Sequence, residues 1–196
     1  SSMMRALSYR DAKLKHEVPC LPVLRRNIPV PLVSPFNIPR SEYATMTESD
    51  IRNVVTNIRN KAASLPFKER NAAFISEPQR LCDELPYIPK RLHKTLMETL
   101  MPSFGASKVV AANYRLFTGV PTLEYVKMMI GYQHGNDVAL NIDQIPPCDR
   151  LQAVQIIADR SLYFLSIKNI IRHTDESNHH ELAGILLGKR NAYSVA

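Results

Sequence analysis

Beyond residue 46 the apolar positions of this chain recur every three or four residues, the period of an amphipathic helix. Thr47-Glu48-Ser49-Asp50 reads as a capping box with Asp in place of Glu, and acids in a first turn suit the helix dipole. Ile51, Val54, Val55 and Ile58 follow at helical spacing, and Arg59 and Lys61 close this helix. Pro66 fits the first turn of a second helix carrying Phe67, Phe74 and Ile75. Pro78 is expected to kink or restart it ahead of Leu81, Cys82 and Leu85. Pro89 begins a third, with Leu92, Leu96, Met97 and Leu100. Ser107 is the expected cap of a fourth, with Val109, Val110, Tyr114 and Phe117, ending at Gly119. Pro121 or Thr122 starts a fifth, with Leu123, Val126, Met129 and Ile130, ending near Gly135. Residues 136–147 read as a longer connection with one extended piece at Val138–Ile142. Asp149 opens a run containing Leu151, Val154, Ile157, Leu165, Ile170 and Ile171. Residues 149–173 hold no Gly or Pro, so they form one helix of ~37 Å or two helices turning at Asp159-Arg160-Ser161. Thr174 caps a last helix with Leu182, Ile185 and Leu186, stopped by Gly188.

The pattern before residue 47 is different. Six prolines fall between Pro19 and Pro39, which excludes a helix or a central strand there. The apolar residues among them are too many for a solvated linker, so the stretch is expected to lie along a surface. The division expected is an extended basic arm over 1–46, a helical-hairpin domain over 47–190 and a tail over 191–196. The arm residues expected to bind a partner are Leu24, Arg25, Arg26, Ile28, Val30, Leu32, Phe36 and Arg40, with Arg25-Arg26 as the electrostatic anchor.

A shift of 41 residues lays 110–130 over 151–171. Val110 meets Leu151, Ala112 meets Ala153, Leu116 meets Ile157, Phe117 meets Ala158, Met129 meets Ile170 and Ile130 meets Ile171. Helical hairpins that stack side by side make a solenoid. The expected fold is therefore all-α, a solenoid-like set of about seven helices with the extended Pro-rich arm.

The segment PPCDRLQAVQIIADRSLYFLSIKNIIRH resembles a pentatricopeptide-type hairpin. The shared points are a proline before the first helix, small Ala153 and Ala158 within it, a polar turn, and Phe164, Ile170 and Ile171 on the second helix. SKVVAANYRLFTGVPTLEYVKMMIGYQHG is similar, with Gly119 near the turn. The resemblance covers about 105–173 and implies one of two uses in organelles. One is RNA binding. The other is a non-catalytic scaffold in a large assembly, including an extra subunit on the catalytic head of euglenozoan mitochondrial ATP synthase. A small basic chain with a docking arm is similar to the second.

Charge sharpens this picture. The formal net charge is +7. Residues 1–46 carry seven Lys and Arg against three Asp and Glu, so +4 of it lies on the arm. A basic tail suits RNA, an anionic membrane surface or an acidic protein face. Arg80, Lys90, Arg91 and Lys94, with His93 among them, form the candidate basic patch of the body, and Tyr114, Tyr125 and Tyr132 are candidates for stacking on bases. No stretch reaches the ~20 apolar residues of a membrane span. Cys20, Cys82 and Cys148 form no CxxC pair and no disulfide framework, which points to a reducing compartment. Ser1-Ser2-Met3-Met4 is either a tag remnant or the mature end left by removal of a targeting peptide, and the matrix side of mitochondria is the expected site.

Catalytic chemistry is not expected. His173, His179 and His180 lie near Asp175, Glu176 and Glu181, but adjacent histidines diverge by about 100° on a helix, and the HExxH spacing is absent. Gly131 and Gly135 do not follow a strand, so no phosphate loop forms, and no GxSxG elbow occurs. Cys82 sits on an apolar stripe and reads as core. The expectation is a protein without cofactor or metal that joins other subunits of a large assembly, such as the catalytic head of ATP synthase. The alternative is an RNA-contacting protein of an organellar ribosome or a viral nucleocapsid.

Overall fold

The computed structural model describes residues 32–103, 105–160 and 167–194. Its compact unit begins at Ser34. Among the described residues every regular element is helical, so the protein is all-α there. Leu24, Arg25, Arg26, Ile28 and Val30 lie outside the described residues.

Helix α1 spans Glu48–Ala63 and starts with the expected capping box. The Asp50 N–H donates to Thr47 Oγ1 (3.2 Å) and the Thr47 N–H donates to Asp50 Oδ2 (2.8 Å). Two otherwise orphaned helix donors are thereby satisfied. Ile51, Val55, Ile58 and Ala62 form its buried stripe, one residue per turn.

Helix α2 runs Phe67–Asp83 and continues through Pro78, so the helix does not restart there. Pro78 is buried, and its missing N–H leaves the Phe74 carbonyl without its helical partner. That carbonyl faces Gly105: a Cβ built on Gly105 would lie 3.2 Å from Phe74 O. Gly105 also has φ +86°, a backbone region that favours glycine. The buried positions of α2 are Ala73, Pro78, Leu81 and Cys82. Phe67 and Ile75, apolar residues carried by this helix, are 72% and 47% exposed.

A 3₁₀ turn over Lys90–Leu92, entered from Pro89, leads into α3, His93–Leu100, which buries His93, Thr95, Leu96, Met97 and Leu100. Helix α4 is Ala106–Ala112. Gly105 stands at its N-cap where Ser107 was expected. Ser107 lies inside the helix, buried, and its hydroxyl donates to Asp137 Oδ2 at 3.3 Å. A 3₁₀ turn over Tyr114–Leu116 follows, then Gly119 at φ +79°. Helix α5 is Thr122–Gly131, ended by Gln133 in the left-handed region (φ +64°).

The extended piece expected at Val138–Ile142 is helical instead. Gly135–Leu140 forms α6, and Ile142–Gln144 forms a 3₁₀ turn. Val138, Ile142 and Ile145 are four and three residues apart, and all are buried. Helical spacing wins over the short apolar–polar alternation in this stretch. Helices α7 (Pro147–Arg160) and α8 (Ile167–Arg172) flank 161–166, which lie outside the described residues. After a 3₁₀ turn over Glu176–Asn178, α9 spans His179–Ser194. It passes Gly188, the expected stop, and takes in most of the expected tail. A helix-interior glycine costs only about 1 kcal/mol and need not end a helix. Thr174 does not cap α9: its buried hydroxyl donates to Ile170 O at 2.7 Å.

Each helix packs chiefly on elements one or two places away in the chain. The closest neighbours are α1 with α2 and α3, α2 with α4, α5 with α7, and α7 with α9. That is the quasi-linear packing of stacked helical pairs. One continuous core runs through the stack from Tyr43 to Leu182. The 41-residue shift is partly visible. α4 and α7 start at 106 and 147, and α5 and α8 end at 131 and 172. Phe117 and Ala158, and Met129 and Ile170, are buried in register. Leu116 is 40% exposed whereas Ile157 is buried, because α4 gives way to a 3₁₀ turn where α7 continues.

Candidate functional site

Residues 34–46, expected on the arm, are fastened to the helical body. Ser34 Oγ accepts the N–H groups of Phe36 and Ile38 (3.2 Å each), closing a local turn. The chain then forms a 3₁₀ helix over Arg40–Thr45 whose Tyr43 is buried. Burial raises the Tyr43 phenol above its ordinary pKa. Met46 is buried beside it in the core.

Three arginines hold this segment. Arg40 Nη2 donates to both oxygens of Glu84, at 3.1 and 3.0 Å. The Glu84 side chain is 2% exposed, and the Arg40 guanidinium lies 4.1 Å from the centre of the Tyr87 ring. A buried carboxylate needs such a partner, because desolvating it alone costs several kcal/mol. Arg91 Nη2 donates to Ala44 O at 2.9 Å. Arg80 pairs with Glu77 (3.2 Å), reaches Pro35 O at 3.5 Å, and lies 5.8 Å from the centre of the Phe36 ring. Phe36 is half-buried against the core. Phe36 and Arg40 therefore belong to the compact unit, whereas Leu32 is exposed.

The candidate basic patch is reorganised by the same contacts. Arg80 and Arg91 clamp the root of the arm. Lys94 is held between Glu124 and Glu98, and its hydrogen bond to Glu124 raises its pKa. The Lys90 stem lies against Gly119, where a Cβ would sit 2.6 Å from Lys90 Cε. His93 faces inward. Its Nδ1 accepts the Thr118 N–H (2.8 Å) and its Nε2 lies 2.9 Å from Ile88 O, which defines the neutral Nε2–H tautomer. These neighbours neutralise much of the positive field expected from the sequence cluster.

The tyrosines divide. Tyr114 and Tyr125 stack on each other inside the core, centroids 4.0 Å apart and nearly parallel. The Tyr114 hydroxyl donates to Val120 O at 2.6 Å, and burial pushes both phenols upward. Tyr132 is exposed. Cys82 is buried among apolar side chains, and that burial pushes its thiol up to about 12, which disfavours the thiolate. Cys148 is exposed. His179 Nε2 lies 2.9 Å from Thr174 O. Among the described residues no three His, Cys, Asp or Glu side chains converge on a common point, and no helix is long and apolar enough to cross a membrane.

Several large apolar side chains also remain on the surface. Phe67 and Ile75 stand out from α2, Leu140 from α6, Ile171 from α8 and Leu187 from α9. No sequence signal separates these from core positions, because they share the same helical spacing. No family model matches the chain, and no curated protein and no solved structure matches it.

Proposed function

We propose that this protein is a non-catalytic structural subunit that docks on a large multiprotein assembly. The observation that carries the reading is the retention of bulky apolar side chains on the outside of the helical stack, Phe67 and Ile75 on α2 above all. Leaving them in water forgoes part of the roughly 1.5–3 kcal/mol that full burial of such a side chain gives, more for Phe67 than for half-exposed Ile75, and a protein partner recovers it. The apolar, basic stretch that leads into residue 34 supplies a second contact through Leu24, Arg25, Arg26, Ile28, Val30 and Leu32. Arg40 and Phe36 anchor its root. The resemblance to pentatricopeptide-type hairpins makes a mitochondrial complex, such as the catalytic head of ATP synthase, the first assembly to examine.

Two features weigh against RNA as the partner. The candidate stacking pair Tyr114 and Tyr125 is buried, and Arg80 and Lys94 have carboxylates beside them. The test is purification of the chain from native extract, followed by RNase treatment and mass spectrometry. Protein partners that persist after RNase support the reading. Their loss on RNase treatment, with steep weakening as salt rises, would establish RNA binding instead.

A further inference from the structure

An open groove of about 500 Å³ runs between the 3₁₀ helix Arg40–Thr45 and α1. Its apolar lining comes from Ile38, Met46 and Val54, its polar lining from Glu42, Asp50 and Asn53, with Thr45 completing it. The charge of this groove runs against the charge of the chain. The chain has 25 Lys and Arg against 18 Asp and Glu, yet the groove has two carboxylates and no basic residue. Neither Glu42 nor Asp50 is ion-paired among the described residues, whereas Glu48, Glu77, Glu84 and Glu124 each have a cation beside them. Asp50 uses Oδ2 to accept the Thr47 N–H and so is fixed in place by the capping box.

We propose that this groove docks an extended peptide segment of a partner protein, one that places a basic side chain between branched aliphatic ones. The aliphatic groups would cover Ile38, Met46 and Val54. The cation would sit between Glu42 and Asp50, where it meets two charges of opposite sign and no competing cation among the lining residues. Asn53 lies on the same rim, and an amide there carries both a donor and an acceptor for a peptide backbone. The lining includes neither Phe67 nor Ile75 and no residue before Ile38, so the site is tested independently of the docking role proposed above.

The test is fluorescence anisotropy of the full-length chain with three labelled hexapeptides, alternating arginine–isoleucine, arginine–serine and glutamate–isoleucine. Saturable binding is expected for the first alone. Glu42→Lys is expected to weaken it about tenfold by placing like charge against the cation. Asn53→Arg, which alters only an exposed side chain on the α1 rim beside Asp50, is expected to act in the same direction if Glu42→Lys disturbs folding. Equal binding of the arginine–serine peptide would reduce the effect to unspecific charge attraction and overturn the proposal. Absence of saturable binding, or binding that neither variant changes, would overturn it as well.

Discussion

The segment 34–100 and the segment 105–145 are both helical, but they are held together by different forces. In the first, long arginine side chains reach across the structure: Arg40 to Glu84, Arg91 to Ala44 O, Arg59 to Thr99 O. In the second, apart from Arg115 reaching Asp143 O, short helices are joined by turns that depend on neutral hydrogen bonds and on glycine geometry. Tyr114 donates to Val120 O, Asn113 exchanges amide hydrogen bonds with Gln79 of the first segment, and Gly105 and Gly119 adopt positive φ. The contrast teaches that the root of the arm is a deliberate fastening. The ion pair of Arg40 with buried Glu84, and the Arg91 bond to Ala44 O, fix residues 34–46 on the body, while the middle of the stack relies on tight connection.

The largest expected effect tests the fastening. Glu84→Ala leaves Arg40 without its carboxylate in a mostly buried setting and should destabilise the protein by about 3–5 kcal/mol in urea unfolding. Replacing both residues with apolar ones of similar volume should restore much of that loss, and a double-mutant cycle reads the coupling. In the neutral network, His93→Leu should cost about 1–3 kcal/mol, because the buried Thr118 N–H loses its acceptor. Gly105→Ala should cost about 1–2 kcal/mol through left-handed strain, with crowding of the Phe74 carbonyl adding to it.

The smallest effect lies at the start of α1. Thr47→Ala should cost about 1 kcal/mol by loss of the cap. The Thr47 N–H, then its hydroxyl, hold the Asp50 carboxyl below its ordinary pKa. A depressed folded-state value contributes stability above the unfolded-state pKa and loses it as pH falls through the folded-state one. Acid melting of Thr47→Ala should therefore show a weaker pH dependence in the carboxylate range than the unaltered protein.

Much of this architecture is legible in the chain. The stripe Ile51, Val55 and Ile58 and the Thr47 cap locate α1 because both signals act within one helix. The prolines at 66, 89 and 121 likewise mark helix entries. What is hidden has identifiable causes. Arg40 and Glu84 are 44 residues apart, and nothing local joins them. Arg80 and Arg91 look like a surface cluster until the fold brings Pro35 and Ala44 to them. Ser107 is a better cap by residue type than Gly105, but the positive φ and close backbone approach at 105 decide the helix start. Phe67 and Ile75 share the period of the core, and only the packing of α2 shows which positions remain outside.

The fastening also defines the decisive measurement. Because residues 34–46 belong to the compact unit, removal of residues 1–33 should spare the helical body, and circular dichroism can verify that it does. Co-purification from native extract after RNase treatment should then show the full chain retaining its protein partners and the shortened chain losing most of them. Equal recovery of the same partners by the shortened, folded chain would contradict docking through the arm.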